Sequence, residues 1–341
     1  MKLIKTEEAV GHVLCHDITE IVPGVVKDAR FRKGHIVAPE DIPVLLKLGK
    51  ENLYVWEKTA GMLHEDEAAE ILRQLCQNEH IYSKGPKEGK IDLYADCDGL
   101  LKVDVARLNA VNMLDDVMIA TRHNNSPVKA GDKLAGTRVI PLVISEETMS
   151  EIQRTAGETP LLSVLPYQPM KVGVVTTGSE VYHGRIEDRF TPVVVKKLAQ
   201  YGLTMTAHRL CNDDKLMIQQ AIEDLLAQGV DMVLCTGGMS VDPDDRTPAA
   251  IRATGAEVVT YGAPVLPGAM FMLAYGADGR PIMGLPGCVM YAASTVFDLI
   301  LPRIASRDRV SRAEIKALGN GGLCLECEEC RYPNCSFGKG N

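Results

Sequence analysis

Apolar positions fall into two different rhythms along the chain, with the change near Pro166. Before it, VPGVVKDARFRKGHIV and PVKAGDKLAGTRVIPLVI read as short strands separated by turns at Pro23-Gly24, Lys33-Gly34 and Ala130-Gly131-Asp132. Helical spacing shows between them in EDIPVLLKLGK, starting at Glu40 and Asp41 and stopping at Gly49, and in HEDEAAEILRQLCQ, which opens at His64. Residues 1–166 are therefore expected to form a smaller, β-rich α+β domain.

A polar helix, SEETMSEIQRTAG, and the proline-punctuated TPLLSVLPYQP lead into longer repeats. KVGVVT is a nearly continuous apolar strand. TPVVVKKLAQYG is a helix with Thr191 as cap, Pro192 in its first turn and Gly202 as its stop, and TMTAHRL is a second strand. The unit then repeats: NDDKLMIQQAIEDLLAQG, capped by Asn212 or Asp213 and closed by Gly229, precedes the strand DMVLCT and the helix TPAAIRATG. Strands alternating with helices predict an α/β domain over residues 167–306 with a mostly parallel, doubly wound sheet. FMLAY and PIMGL are expected to extend the sheet as antiparallel or mixed strands. VMYAASTVFDLILPRI is expected to be one long last helix, and residues 307–341 an otherwise unstructured tail.

Length and charge narrow the function. A chain of 341 residues exceeds what one core normally organises, which agrees with two domains. A formal charge of −8 with both signs interspersed excludes a basic nucleic-acid footprint. MKLIKTEEAVGH has no signal-like apolar stretch, and no segment reaches membrane-spanning length, so a cytoplasmic chain without a membrane is expected. Six of the 10 cysteines are scattered and read as buried free thiols. Cys288, just before a helix, is one of them, with a thiol of lowered pKa as the alternative.

Three glycine-containing turns each follow an apolar strand: TTGSE, TGGMS and PGC. Parallel strands would bring all three to one sheet edge, where open α/β folds bind ligands. Gly178, Gly237, Gly238 and Gly287 would let backbone amides approach a phosphate or a flat heterocycle; Thr176, Thr177, Ser179 and Ser240 add hydroxyls. Neither GxxxxGK[ST] nor GxGxxG is present, so the common nucleotide fingerprints do not apply. Glu180, Asp188, Asp242, Asp244 and Asp245 crowd the same turns, and a site holding anionic oxygens beside carboxylates is reconciled by a divalent cation, Mg²⁺. The alternative is that these acids only cap helices, Asp244 or Asp245 the TPAAIRATG helix.

In the tail, CLECEECRYPNC places Cys324, Cys327, Cys330 and Cys335 in a CxxCxxCxxxxC array. Four such thiolates suit zinc or an iron-sulfur cluster, and sulfur ligation alone does not choose between them. HEDEAAE lacks the second histidine of a zinc-protease helix and is read as an acidic helix start.

TTGSEVYHGRIED, GGMSVDPDDRTP and GLPGCVMYAASTVFDLILPRI, in that order, resemble the molybdopterin-binding domain of the MoeA and MogA proteins of molybdenum-cofactor biosynthesis, over roughly residues 170–305. The resemblance implies a MogA-like fold and a pocket for molybdopterin or its adenylylated form, with Thr176, Thr177, Gly178, Ser179, Gly237, Gly238, Met239, Ser240, Pro286 and Gly287 around the pterin. It implies Glu180, Asp188 and Asp245 as catalytic acids for Mg²⁺ or molybdate handling. The reaction it implies is insertion of molybdate with release of AMP. The other function left open is a non-catalytic carrier that delivers the cofactor to a molybdenum enzyme, and self-association into a homo-oligomer is implied in either case. The chain departs from the family at VLPGAM, around Leu266 to Met270, where lysines are usual, and at Cys288, where asparagine is common.

Overall fold

The computed structural model describes every residue except 1, 23–25, 56–59, 241, 244 and 341, and leaves out the side chains of 21, 22, 26 and 27. The turn expected at Pro23-Gly24 and the cap expected of Asp244 lie outside the described residues. The chain divides into two compact units: Met1–Asp96, Val103–Arg122 and Gly131–Ser163 form one, and Cys97–Lys102, His123–Ala130 and Val164–Asn341 the other.

In the first unit, the antiparallel strands Ile81–Lys87, Lys90–Ala95, Lys133–Val139 and Val117–Thr121 form a sheet in that spatial order. Alternation drives it: Ile91, Leu93 and Ala95 are buried while Asp92 and Tyr94 between them stay partly open. A separate small core gathers Leu14, Ile18, Leu45, Leu53 and Val55. The two helices expected here run Asp41–Lys47 and Glu65–Cys76. His64 caps the second, accepting the Asp66 amide at 3.2 Å while the Glu67 carboxylate accepts the His64 amide at 2.9 Å.

Glu65 begins that helix and is only 8% exposed. Burial, reinforced by the Asp66 charge, pushes its carboxyl up to about 7. A carboxyl that holds its proton more tightly when folded stabilises the fold below its unfolded pKa, and this contribution is lost as pH rises to the folded pKa. We expect the first unit to lose on the order of 3 kcal/mol by this route as the carboxyl ionises. The window runs from pH 4.5 to about 7. Glu65→Gln should flatten that slope in urea titrations at the two pH values; identical slopes would assign it to other groups.

The second unit is built on a six-stranded sheet. Its elements in chain order are β1 (Lys171–Thr177), α1 (Phe190–Ala199), β2 (Thr204–Cys211), α2 (Lys215–Ala227), β3 (Met232–Thr236), α3 (Thr247–Ala253), β4 (Glu257–Tyr261), β5 (Met272–Tyr275), β6 (Pro281–Leu285), α4 (Val296–Ala305) and α5 (Arg312–Ala317). The spatial order is β2-β1-β3-β6-β5-β4. β2, β1, β3 and β6 are parallel, and only β5 runs against its neighbours. PIMGL therefore joins the parallel set, and β4 is a strand that the apolar pattern does not single out.

Continuous apolar strands arise because both faces of this sheet are covered. Val172, Val174, Met232 and Leu234 face one core with α1 and α4; Val175, Val233, Cys235 and Ile282 face the other with α2 and α3. A Cβ at Gly173 would lie 3.0 Å from Leu225 of α2, so glycine there sets how closely that helix packs.

Three expectations about helix ends are corrected. α1 starts at Phe190 rather than after Thr191, because Asp188 Oδ1 accepts the amides of Phe190 and Thr191 at 2.9 and 3.0 Å. α2 is capped by Asp214, which accepts the Met217 amide at 2.8 Å, instead of Asn212 or Asp213. The long last helix is broken in two: a 3₁₀ turn, Gly287–Met290, ends before Thr295, whose own capping box with Asp298 starts α4. The tail also departs from expectation. It contains α5, and Phe337 is 3% exposed in the main core. An aromatic side chain in the core fixes the segment without regular secondary structure. Among the described residues no helix is long and apolar enough to cross a membrane.

Candidate functional site

The carboxyl ends of β1, β3 and β6 lie side by side, with Thr176 opposite Thr236 and Thr236 opposite Leu285. All three glycine turns thus leave the sheet from one rim. After β1 the chain moves outward to β2 and then returns past β1 to β3, so the winding direction reverses between β1 and β3. A crevice forms at such a reversal because the connections on its two sides diverge.

Each turn has a local reason for its glycine. Gly178 (φ 138°) turns the chain from β1 into a single helical turn, Ser179–Tyr182. Gly237 (φ 86°) passes so close to β1 that a Cβ would press on the Thr177 carbonyl and lie 2.7 Å from Thr177 Oγ1. The Thr247 hydroxyl donates to the Gly237 carbonyl at 2.8 Å, tying this turn to α3. Tyr261 Oη donates to the carbonyls of Met239 and Ser240 at 3.1 and 3.2 Å, holding the far side. Gly287 differs, because a Cβ there would meet nothing within 4 Å.

A cavity of about 520 Å³ opens at this rim. Of the residues singled out from the sequence, Thr176, Thr177, Asp188 and Gly237 line it, joined by Arg189 and by Met290 from the third turn. Gly178, Ser179, Gly238, Ser240, Pro286 and Gly287 sit in the same turns without forming the cavity wall. Met239 packs in the core, where a Cβ on Gly284 would come within 2.5 Å of its sulfur. Glu180 is exposed in the first turn; Asp245 Oδ2 accepts the Asp242 amide at 3.2 Å, closing a local turn.

Two carboxylates line the cavity, the exposed Glu187 and the partly buried Asp188, and Asp188 is the one tied into the fold. Besides capping α1 through Oδ1, it accepts the Thr176 hydroxyl at 3.0 Å and the Thr191 hydroxyl at 2.5 Å through Oδ2. His208 Nε2 lies 2.9 Å from Thr176 Oγ1 and 3.6 Å from Asp188 Oδ2. Burial by itself would raise the Asp188 carboxyl, but the hydrogen bonds from Thr191, Phe190 and Thr176 outweigh it and hold the pKa below the usual carboxylate value. It is therefore an anion at neutral pH.

Four contributors escape the sequence reading. Arg189 and Met290 lack any motif signal, since only the turn of the chain brings them to the cavity. Asp213 accepts the Ser179 amide at 2.8 Å, bridging the first turn to the loop after β2. His208 could have been found by asking which polar residue on β2 pairs with β1, where it lies opposite Val174. Cys288 is half-buried, and burial raises its thiol pKa, which overturns the low-pKa alternative.

The four tail cysteines line a second cavity of about 380 Å³ and are all free thiols. Among the described residues, no three His, Cys, Asp or Glu side chains are already gathered to hold a single metal ion, at the acidic turns or in the tail.

Residues 3–57 match a family described as a domain of unknown function (DUF8806), and residues 173–306 one described as "Probable molybdopterin binding domain". A CinA-like protein of Mycobacterium sp. (strain MCS) is 33% identical over 90 residues, covering 26% of this chain and 21% of that protein. The match thus spans about a fifth of the relative's length. MoaB from Thermus thermophilus shares 20% identity over 40% of this chain and 91% of that one, at a TM-score of 0.33. The tungsten cofactor synthesizing protein MoaB from Pyrococcus furiosus shares 18% over 42% and 99%, at a TM-score of 0.34. With the three turns on one rim and the family match spanning all of them, residues 173–306 belong to the probable molybdopterin binding domain family.

Proposed function

We propose that the chain acts in molybdenum-cofactor biosynthesis, binding molybdopterin at this rim and inserting molybdate into the adenylylated form with release of AMP. The observation that carries this reading is the cavity of about 520 Å³ walled from all three strand-end turns. Its size suits a ligand of cofactor dimensions.

The turns divide the work by chemistry. Gly237 offers backbone without a side chain, which lets a flat ring or a phosphate come close. Arg189 supplies at the wall the cation that the Leu266–Met270 segment lacks, and its guanidinium suits phosphate oxygens. Asp188 stays ionised, repelling misplaced anions and orienting the Thr176 hydroxyl. Mg²⁺ fits Glu180 and Asp245 in that this ion is usually held by one or two carboxylates plus substrate phosphates, and no complete protein cage is needed. Bound there, it would neutralise phosphate charge.

Pterin should be released when the purified protein is denatured, and AMP should appear when adenylylated molybdopterin, molybdate and Mg²⁺ are supplied. Arg189→Met is expected to weaken pterin retention about tenfold, the loss of one charge-assisted hydrogen bond. Asp188→Asn keeps an acceptor for the α1 amides but removes the charge, so AMP release should fall at least about tenfold while pterin retention changes by less than about twofold. Failure to recover any pterin would sink the reading.

A second reading, a carrier that hands the cofactor to a molybdenum enzyme, is favoured by one feature: both Asp188 oxygens are already engaged within the chain. Tight pterin retention with no AMP release would select it.

A further inference from the structure

The second cavity has a more specific chemistry than the pattern of cysteines alone conveys. Cys324, Cys327, Cys330 and Cys335 all line it, together with Tyr291 and Ser294. The cysteine loop is fastened at both ends. The Cys324 amide donates to the Leu266 carbonyl at 2.8 Å and the Leu266 amide to the Gly322 carbonyl at 2.8 Å. At the other end Phe337 is buried in the main core, and the Gly338 amide donates to the Gly321 carbonyl at 2.9 Å, closing the loop on itself. Between the ends, Tyr332 Oη donates to the Asp298 carbonyl of α4 at 2.9 Å. A loop tied at three places presents its thiols to one space, so the entropy of gathering them is partly spent in folding.

The spread of the four cysteines bears on the occupant. A zinc ion held by four thiolates sits about 2.3 Å from each sulfur, which requires the sulfurs to close on one point. Here all four residues line one cavity of about 380 Å³, and no three of them are gathered at a single-ion position. An iron-sulfur cluster interposes its own iron and sulfide between the cysteine sulfurs, so its four ligands belong around a space and not at a point. Ser294, 5% exposed, lies with its hydroxyl 3.3 Å from Cys330 Sγ, placed to donate a hydrogen bond to a ligating sulfur. Hydrogen bonds to the sulfurs are one of the levers that set a cluster's potential.

We propose that Cys324, Cys327, Cys330 and Cys335 bind a [4Fe–4S] cluster, with Ser294 hydrogen-bonded to the Cys330 ligand. The cluster would sit against the segment that follows the third rim turn: Tyr291 lines this cavity while its neighbour Met290 lines the pterin-sized one. The proposal is independent of what the first cavity binds.

The test is metal and sulfide analysis of the full-length chain purified without oxygen, and again after incubation with ferrous iron, sulfide and thiol. About four iron and four acid-labile sulfide per chain are expected, with broad visible absorption that bleaches on reduction. Cys327→Ser and Cys330→Ser, both at exposed positions, should lose at least half of the iron and sulfide while far-UV circular dichroism stays unchanged. Ser294→Ala should keep the cluster but shift its reduction potential upward or downward from wild type. One zinc per chain that iron and sulfide do not replace would overturn the proposal, as would uptake no greater than in a chain with all four cysteines changed to serine. Disulfide bonding among the four in the anaerobic protein would overturn it too. A misfolded single variant leaves the wild-type analysis and the other variant to decide.

Discussion

Replacing Gly237 with alanine is expected to lower the stability of the second unit by about 2–5 kcal/mol and to abolish pterin retention. Two costs add. At φ 86° an L side chain pays for left-handed backbone, and the new methyl presses on the carbonyl of Thr177, which is backbone and cannot rotate away. Relief requires either β1 or β3 to shift at its carboxyl end. Those two ends are the walls of the cavity. Gly287→Ala is the matched comparison. Its backbone needs no left-handed conformation and its Cβ would meet nothing, so stability should change by less than about 0.5 kcal/mol. Urea unfolding together with pterin content separates the two. If Gly237→Ala is as stable as Gly287→Ala, the close approach of the second turn to β1 is not real, and the rim described above fails with it.

The other large effect is expected at a buried ion pair. Lys197 lies on α1, and its ammonium donates to Asp298 Oδ1 at 2.6 Å and to the Ala293 carbonyl at 2.9 Å. Both charged residues are 7% exposed. Lys197→Met leaves a carboxylate buried without its counter-charge, which should cost about 3–5 kcal/mol. Asp298 has a second duty, since its Oδ2 accepts the Thr295 amide at 2.7 Å and so starts α4. Asparagine at 298 can still accept there, so the double change Lys197→Met/Asp298→Asn should recover part of the loss. Denaturant titrations of the wild type, the two single variants and the double variant would measure the coupling. The lysine also anchors the stretch that serves both cavities, since Met290 lines the first and Ala293 the second. Lys197→Met should therefore reduce both pterin retention and iron content, which no substitution confined to one cavity does. A loss below about 1 kcal/mol would mean that the pair is solvated and holds nothing in place.

How much of this is legible in the sequence depends on the range of the interaction concerned. The parallel sheet, its helices and the three turns are readable because each rests on near neighbours in sequence: continuous apolar runs, caps and glycines. The helix ends are less legible. Asp188 and Asp214 capture the first amides of α1 and α2 where the sequence pattern points to Thr191 and to Asn212 or Asp213, because several oxygen-bearing side chains compete within one turn and only packing selects among them. The break before Thr295 is hidden because VMYAASTVFDLILPRI keeps an apolar period through a point where the Thr295–Asp298 box, backed by Lys197 from another helix, starts afresh.

The sequence by itself determined the class of sheet, the presence of glycine turns after its strands and the acids and cysteines beside them, since these follow from periodicity and residue chemistry over spans of about ten residues. Only the tertiary structure decided that Arg189 and Met290 reach the same cavity as Gly237, that Met239 is core, that Asp213 serves the first turn, and that four cysteines face one space against Ser294. Those facts join residues tens of positions apart. Strand order and helix docking fix such distances, and no local pattern of apolar and polar residues encodes them.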